Sequence, residues 1–273
     1  MNSDQRIKSL VPYLLLSIWA FSALASNVKY GNGALDGDNG SANTAVGWQT
    51  SQNSTGDNNT LVGYRQTYQA GSNFSGSNNS ALGSQALHNM TTGGGNTAIG
   101  TDTLYNSQTG SYNVAVGYQS IGSGSSSGTS NIGIGFRALY ANSIGSHNQA
   151  SGYEALKGNT TGDNNMASGF QAMSSGTNTG HYNRASGYQS MYSNTTGSYN
   201  IASGWSTLYS NTTGSHNQAS GYGALLNNTT GAYNSASGYQ AMGYGINTGS
   251  YNTSSGYQSM YSNTTGQYNV GSG

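Results

Sequence analysis

The chain of 273 residues has no cysteine, a single proline and very little charge. Without cysteine there is no disulfide framework and no thiolate metal site. The lone proline, Pro12, stands near the start, so the rest is free of the residue that interrupts central strands. Charged residues make up 5% of the sequence, seven basic against seven acidic. Nucleic acids and acidic membranes are recognised by clustered Lys and Arg, whereas Arg65, Arg137 and Arg184 are single and scattered. Apolar residues are scarce too, 33% against about 45–50% in ordinary globular chains. Disordered chains of low apolar content usually carry high charge, and this one does not. Polar, uncharged and glycine-rich, it belongs with chains ordered by backbone ladders and stacked amides.

Catalytic chemistry finds no constellation to work with. His88, His147, His181 and His216 are too few and too scattered for a repeated metal site, and Glu154 is the only glutamate. Calcium-binding solenoids carry an aspartate in each turn, but Asp57, Asp102 and Asp163 do not recur. The glycine- and serine-rich stretch Gly122–Gly128 is followed by no lysine, so it reads as a loop insertion and not a phosphate cradle. No catalytic, cofactor-binding or metal-binding residue is assigned, and a non-enzyme is expected.

What the sequence does have is one unit, Gly-x-x-Asn-x-small-x-Gly, repeated fourteen times from Gly40 to Gly273. The closing glycines recur every 17 residues in most turns, every 18 in a few, with one interval of 16 and one of 20. Each length change falls between one unit's closing glycine and the next unit's opening one. A short period with a rigid half and an elastic half is the signature of a solenoid. The expected fold is all-β, a parallel β-solenoid or β-roll of about 14 turns.

The asparagines are Asn43, Asn59, Asn79, Asn96, Asn113, Asn131, Asn148, Asn165, Asn183, Asn200, Asn217, Asn234, Asn252 and Asn269. Two physical reasons would keep this residue in every unit. Identical amides stacked ~4.8 Å apart bond along the axis as a ladder; alternatively, asparagine is suited to a left-handed turn conformation. Side chains alternate across a strand, so asparagine, small residue and closing glycine share one face, expected to point inward. A column of Leu, Ile or Met four residues after the glycine (Leu87, Leu104, Met173) closes the interior. The residue after the asparagine accepts Gln149 and Arg184 and is read as exposed. A second, shorter strand is expected near the Leu/Met column, with glycine turns between. A helical turn at Gln85–Leu87 is the less favoured option there. One outward column changes along the chain: Val46, Val62, Leu82, Ile99, Val116 and Ile134 precede the first six closing glycines, and serine precedes the other eight. A greasy outward stripe needs a partner surface.

Ahead of the array, Arg6 and Lys8 precede an apolar run, Leu10 to Ala25, ending in Ala23-Leu24-Ala25. This is the pattern of a secretory signal over residues 1–25, and the run is short of the ~20 residues of a bilayer span. A secreted or cell-surface location follows as an expectation, with no membrane span after cleavage. Residues 26–39 carry no full unit and are expected to cap the array of residues 40–273, as repeat stacks require.

The units Gly93-Gly94-Gly95-Asn96-Thr97-Ala98-Ile99-Gly100 and Gly110-Ser111-Tyr112-Asn113-Val114-Ala115-Val116-Gly117 resemble the head repeats of trimeric autotransporter adhesins. Similar repeats occur in phage tail fibres. The glycines, asparagine and small residue match along the whole array, and the aliphatic position matches in the first six units. The resemblance implies a left-handed parallel β-roll whose copies associate in threes along an apolar face, and a head that binds host matrix or other surfaces. The family's unit is shorter, and its coiled-coil stalk and membrane barrel have no counterpart in this sequence; a fragment or another mode of attachment would account for that. A weaker likeness, through Asn113, Ala115 and Gln119, is to curli-type amyloid repeats.

Three functions follow as expectations. The first is a non-catalytic, adhesin-like protein, homo-oligomeric or assembled end to end, that binds a carbohydrate or matrix surface. Its candidate contact surface is the aromatic column Tyr118, Tyr153, Tyr188, Trp205, Tyr222, Tyr239 and Tyr257, because such rings offer area at low entropy cost. The structural alternative is that these rings only pack on one another. The second function is a self-assembling extracellular fibre or matrix subunit. The third is ice binding through the paired threonines of the Asn-Thr-Thr turns. The sequons at Asn159, Asn194, Asn211, Asn228 and Asn263 are either glycosylated or plain turn residues.

Overall fold

The computed structural model describes residues 27–35, 37–51, 53–67, 73–122 and 127–273. The expected signal over residues 1–25 lies outside the described residues.

Fifteen strands follow one another: β1 (Val28–Tyr30), β2 (Thr44–Trp48), β3 (Thr60–Tyr64), β4 (Ser80–Ser84), and three-residue strands from β5 (Thr97–Ile99) to β15 (Val270–Ser272). They form one parallel sheet in strictly sequential order. Register is unit on unit: Ala185 pairs with Ala202, and Ser186 with Ser203. The chain is therefore a β-solenoid, about 65–70 Å long at ~4.8 Å per strand. The segment expected as a cap itself carries a rung. Asn27 and Gly31 stand where the unit has its asparagine and closing glycine, and β1 pairs with β2. Lys29 occupies the alanine position of that rung and is exposed.

The core is one side chain thick. The strand alanines, from Ala45 to Ala236, point inward and are buried. Facing them are Leu87, Leu104, Ile121, Leu139, Leu156, Met173, Met191, Leu208, Leu225 and Met242, together with a second buried small column that includes Ala86, Ala138, Ala155 and Ala172. Two exceptions have a matching change. Where Leu61 replaces the strand alanine, Thr67 replaces the leucine opposite. Where β-branched Ile121 fills the leucine position, Gly133 replaces the alanine. A methyl group on Gly133 would sit 2.6 Å from Ser120 Oγ and 2.9 Å from Ile121 Cγ1. The Leu61–Thr67 exchange keeps core volume, the kind of change a packed interior tolerates, and Gly133 makes room for the branched Ile121; the rung of Ala45, with buried Ser51 in the leucine position, has no such compensation.

The expected second strand is not formed. Among the described residues only isolated bridges occur outside the sheet, Ser54 with Phe74, Asn159 with Asn178 and Asn228 with Asn247. The reason lies in the backbone. After each closing glycine the second and fourth residues adopt positive φ, as at Gln119 (52°) and Ile121 (49°) or Gln189 (50°) and Met191 (51°). That alternation turns the chain and forbids both a strand and a right-handed helical turn at Gln85–Leu87. The two left-handed residues bond in opposite directions: Gln119 N–H donates to Thr101 O in the preceding rung, Ile121 N–H to Ala138 O in the next. Both glycine columns are explained by closeness of rungs. A Cβ on Gly145 or Gly152 would collide with the carbonyl of Gly162 or Gly169 one rung on, and Gly152 also needs φ of 135°.

Replacing Gly152 by alanine is expected to split the array, because the collision is with backbone that cannot rotate away. Native-state hydrogen exchange should show lost protection in the rungs on both sides of residue 152. Uniform protection would contradict this account of the glycine column.

Candidate functional site

The fourteen predicted asparagines form one continuous ladder, joined by Asn27, which the repeat pattern did not reveal. Each backbone N–H from Asn43 to Asn269 donates to the side-chain Oδ1 of the asparagine one rung earlier, at 2.8–3.0 Å. Each Nδ2 from Asn27 to Asn252 donates to the opening glycine's carbonyl one rung later, at 2.7–3.0 Å. Direct amide-to-amide bonds, such as Asn200 Nδ2 to Asn183 Oδ1 at 3.1 Å, are added in some rungs. None of the ladder asparagines has positive φ; that conformation falls on the residue before, for example Asn58, Tyr112 and His147. Of the two reasons weighed for this residue, the ladder is the one realised.

A second asparagine column runs through the elastic half-turn. Asn142, Asn159, Asn178, Asn194, Asn211, Asn228 and Asn247 are buried. Asn211 Nδ2 donates to Asn194 Oδ1 and to Gly214 O, each at 2.9 Å, and Asn228 repeats the pattern. The sequons at Asn159, Asn194, Asn211 and Asn228 therefore have their amides inside the fold, where a glycan has no room. The first threonine after the asparagine is engaged as well. Thr195 Oγ1 donates to Thr212 O at 2.9 Å and Thr212 Oγ1 to Thr229 O at 3.0 Å. The first hydroxyl of each pair thus serves the stack, while the second, at Thr196 and Thr213, is exposed.

The predicted contact column is one stack. Tyr118, Phe136, Tyr153, Phe170, Tyr188, Trp205, Tyr222, Tyr239 and Tyr257 follow ring on ring at centroid distances of 4.0–6.3 Å, with planes within 18° of parallel. Ring faces are covered by their neighbours and ring edges face solvent. All but Tyr188 are exposed, and Tyr188 lies 4.0 Å from Trp205. The column before the ladder asparagine makes a second stack, Tyr182, Tyr199, His216, Tyr233, Tyr251 and Tyr268, at 4.7–5.0 Å. His216 is one ring among tyrosines there. Between the two stacks runs the outward face of the sheet, with Leu82, Ile99, Ile132 and Ile134 exposed on its first half and Arg184 with the serine column on its second.

Charge is concentrated in one small group. Glu154 accepts hydrogen bonds from Lys157 Nζ at 2.8 Å and Gln171 Nε2 at 3.0 Å. Burial alone would raise its carboxyl; the bonds from Lys157 and Gln171 and the charges of Lys157 and Arg137 outweigh burial and hold it below the usual glutamate range. It stands in a glutamine column whose amides also pair, Gln189 Nε2 with Gln171 Oε1 at 2.9 Å and Gln258 Nε2 with Gln240 Oε1 at 3.0 Å. Among the described residues no three His, Asp or Glu side chains gather as metal ligands.

Two measurements probe these columns. Tyr153→Ala removes two ring contacts worth ~0.5–1.5 kcal/mol each, so chemical denaturation should show a loss of about 1–3 kcal/mol. For Glu154, a lowered folded pKa means that its contribution is present above the unfolded value near 4.5 and is lost as pH falls through the folded one. The stability advantage of the native chain over Glu154→Gln should thus be present at neutral pH and vanish on acidification; an advantage that grows in acid would reverse the assignment. Compared with known proteins, the chain stands apart: no protein-family model, no curated protein and no solved structure matches it.

Proposed function

We propose that this solenoid is a secreted or cell-surface, non-catalytic, adhesin-like rod that binds a surface or glycan through one side. The observation that carries the reading is the aromatic stack from Tyr118 to Tyr257, whose edges line one flank of the rod. Aromatic edges offer wide contact with few rotamers to freeze, and a rigid row repeated at every rung lets weak contacts add through multivalency. The resemblance to adhesin head repeats points the same way. The triple replacement Tyr188→Ala, Trp205→Ala and Tyr222→Ala tests it: attachment of the purified chain to matrix or glycan-coated surfaces should fall. Unchanged attachment with lowered stability would leave the stack a purely structural device.

A second reading rests on a separate observation, the exposed Leu82, Ile99 and Ile134 on the sheet face. An apolar stripe of this kind supports association of copies, as trimers or as a self-assembling extracellular matrix. The chain itself supplies the control, since serine fills the same column in later rungs without loss of the strand. Changing Leu82, Ile99 and Ile134 to serine should shift the mass measured by light scattering from oligomer to monomer at unchanged circular dichroism. A native chain that is monomeric at high concentration would remove this reading.

A further inference from the structure

Tyrosine is the commonest aromatic residue of the chain, 22 of its 273 residues, and the fold sets many of these side by side. In the stack before the ladder asparagine, Tyr182 and Tyr199 lie 5.0 Å apart with planes 10° from parallel. Tyr233 and Tyr251 lie 4.9 Å apart at 2°, and Tyr268 follows Tyr251 at 5.0 Å. All five rings are exposed. His216 separates the two groups, standing between Tyr199 and Tyr233. The longer stack is built differently over its first half. There Phe136 parts Tyr118 from Tyr153, and Phe170 parts Tyr153 from Tyr188. Direct tyrosine neighbours begin in that stack beyond Trp205, at Tyr222, Tyr239 and Tyr257.

A phenol gives one electron and one proton to a strong oxidant. The phenoxyl radical that remains carries spin on the ring carbons beside the oxygen-bearing one, the two Cε atoms. Two radicals on neighbouring rings can therefore join Cε to Cε. The exposed edges of these rings are open to an oxidant from solvent. The χ2 torsion of tyrosine is broad. Opposite rotation of two neighbouring rings turns one Cε of each toward the other while the rungs stay in register. Thiols, which would take the oxidising equivalent first, are absent from the chain. Met173, Met191 and Met242 are buried, away from the oxidation that exposed methionine suffers.

We propose that the tyrosine pairs of the stack before the ladder asparagine are sites of oxidative crosslinking, in which neighbouring rungs are joined as dityrosine. The oxidant is hydrogen peroxide acting through a haem peroxidase. One peroxide takes an electron and a proton from each of two phenols and is reduced to two molecules of water. The two phenoxyl radicals form one bond between ring carbons. The hydrogen on each of those carbons then moves to oxygen and restores both phenols, so the product has lost two hydrogens in all. Joining Tyr182 to Tyr199 closes a loop of 17 residues, and joining Tyr233 to Tyr251 one of 18. A crosslink limits the freedom of the unfolded chain, which suits a rod with a core one side chain thick. Register supplies the selectivity: the ring one rung away is present at an effective concentration that a second molecule in dilute solution does not reach. The inference is independent of what the rod binds.

The test treats the full chain, in dilute solution, with a plant haem peroxidase and hydrogen peroxide. Dityrosine fluorescence, intact mass and crosslinked proteolytic peptides are then read. The chain should become fluorescent, stay monomeric on a denaturing gel and lose two hydrogens for each crosslink. Peptides should join Tyr182 to Tyr199, and Tyr251 to Tyr233 or Tyr268, while none joins Tyr118 to Tyr153. Tyr199→Phe should abolish the first crosslink and spare the second, and Tyr251→Phe should do the reverse. Phenylalanine keeps a ring in the stack, as Phe136 and Phe170 do between tyrosines, so the loss reports on the phenol and not on the fold. The treated chain should also need more denaturant to unfold than the untreated one. Absence of dityrosine while free tyrosine in the same reaction is converted would overturn the proposal. So would dityrosine confined to joined chains, or a Tyr118–Tyr153 crosslink formed as readily as Tyr182–Tyr199.

Discussion

Everything in this molecule depends on rungs lying directly over one another at a single short spacing, with the bends between them kept hydrogen-bonded by side-chain amides. A core one side chain thick supplies little hydrophobic driving force, so the buried backbone of the bends must find partners, each unmet group costing ~1–3 kcal/mol. The ladder asparagine meets that need with one acceptor for the next rung's N–H and one donor for the next rung's glycine carbonyl. Few side chains do both at that reach. Serine is shorter, and aspartate lacks the donor. Aspartates at ~4.8 Å would moreover repel their neighbours by about 3–4 kcal/mol at an effective dielectric near 20. The same need fills the second column, from Asn142 to Asn228, and the paired glutamines after the closing glycine.

Stacking of identical rungs also lets the backbone hold conformations that isolated chains avoid. Left-handed φ costs a non-glycine residue roughly 1–2 kcal/mol, yet three positions per turn adopt it, at the residue before the asparagine and at the second and fourth after the glycine. Each donates its N–H to a neighbouring rung, as Tyr112 does to Gly94 O, Gln119 to Thr101 O and Ile121 to Ala138 O, so the strain cannot relax in one rung without breaking a bond to another. The composition of those columns carries the signature. Among the described non-glycine residues with positive φ, only Thr67 and Ile121 are β-branched. The interior column is therefore leucine and methionine where a strand would favour valine and isoleucine.

The sequence made the strand half legible because there the repeat is rigid and alternation assigns faces: asparagine and alanine in, Thr44, Gln149 and Arg184 out. The turn half is less legible, since variable length blurs its columns and a recurring leucine also fits a strand. The scarcity of β-branched residues at these positions, as in Gln85-Ala86-Leu87 or Gln189-Ser190-Met191, is the available signal against that strand. Asn-Thr-Thr-Gly reads locally as a turn sequence, but the burial of Asn194 and Asn211 depends on neighbouring rungs, which local pattern does not report. Asn27 was missed because its unit lacks the opening glycine and puts Lys29 at the small position.

In-register pairing dictates the surface as well. A residue type repeated in one column must meet its own kind at the rung spacing, which suits tyrosine and serine and forbids a run of like charges. The aromatic stacks are thus a direct product of backbone register, with centroids near 5.0 Å in most pairs. Trp205 departs from that spacing, drawn to 4.0 Å from Tyr188 and left 6.3 Å from Tyr222 by its larger ring. A regular column offers the same contact at every rung and so discriminates weakly between ligands. Selectivity has to come from a rung that differs from its neighbours. Glu154 among the glutamines is such a departure, and it brings a carboxylate together with the Lys157 ammonium and the Gln171 amide.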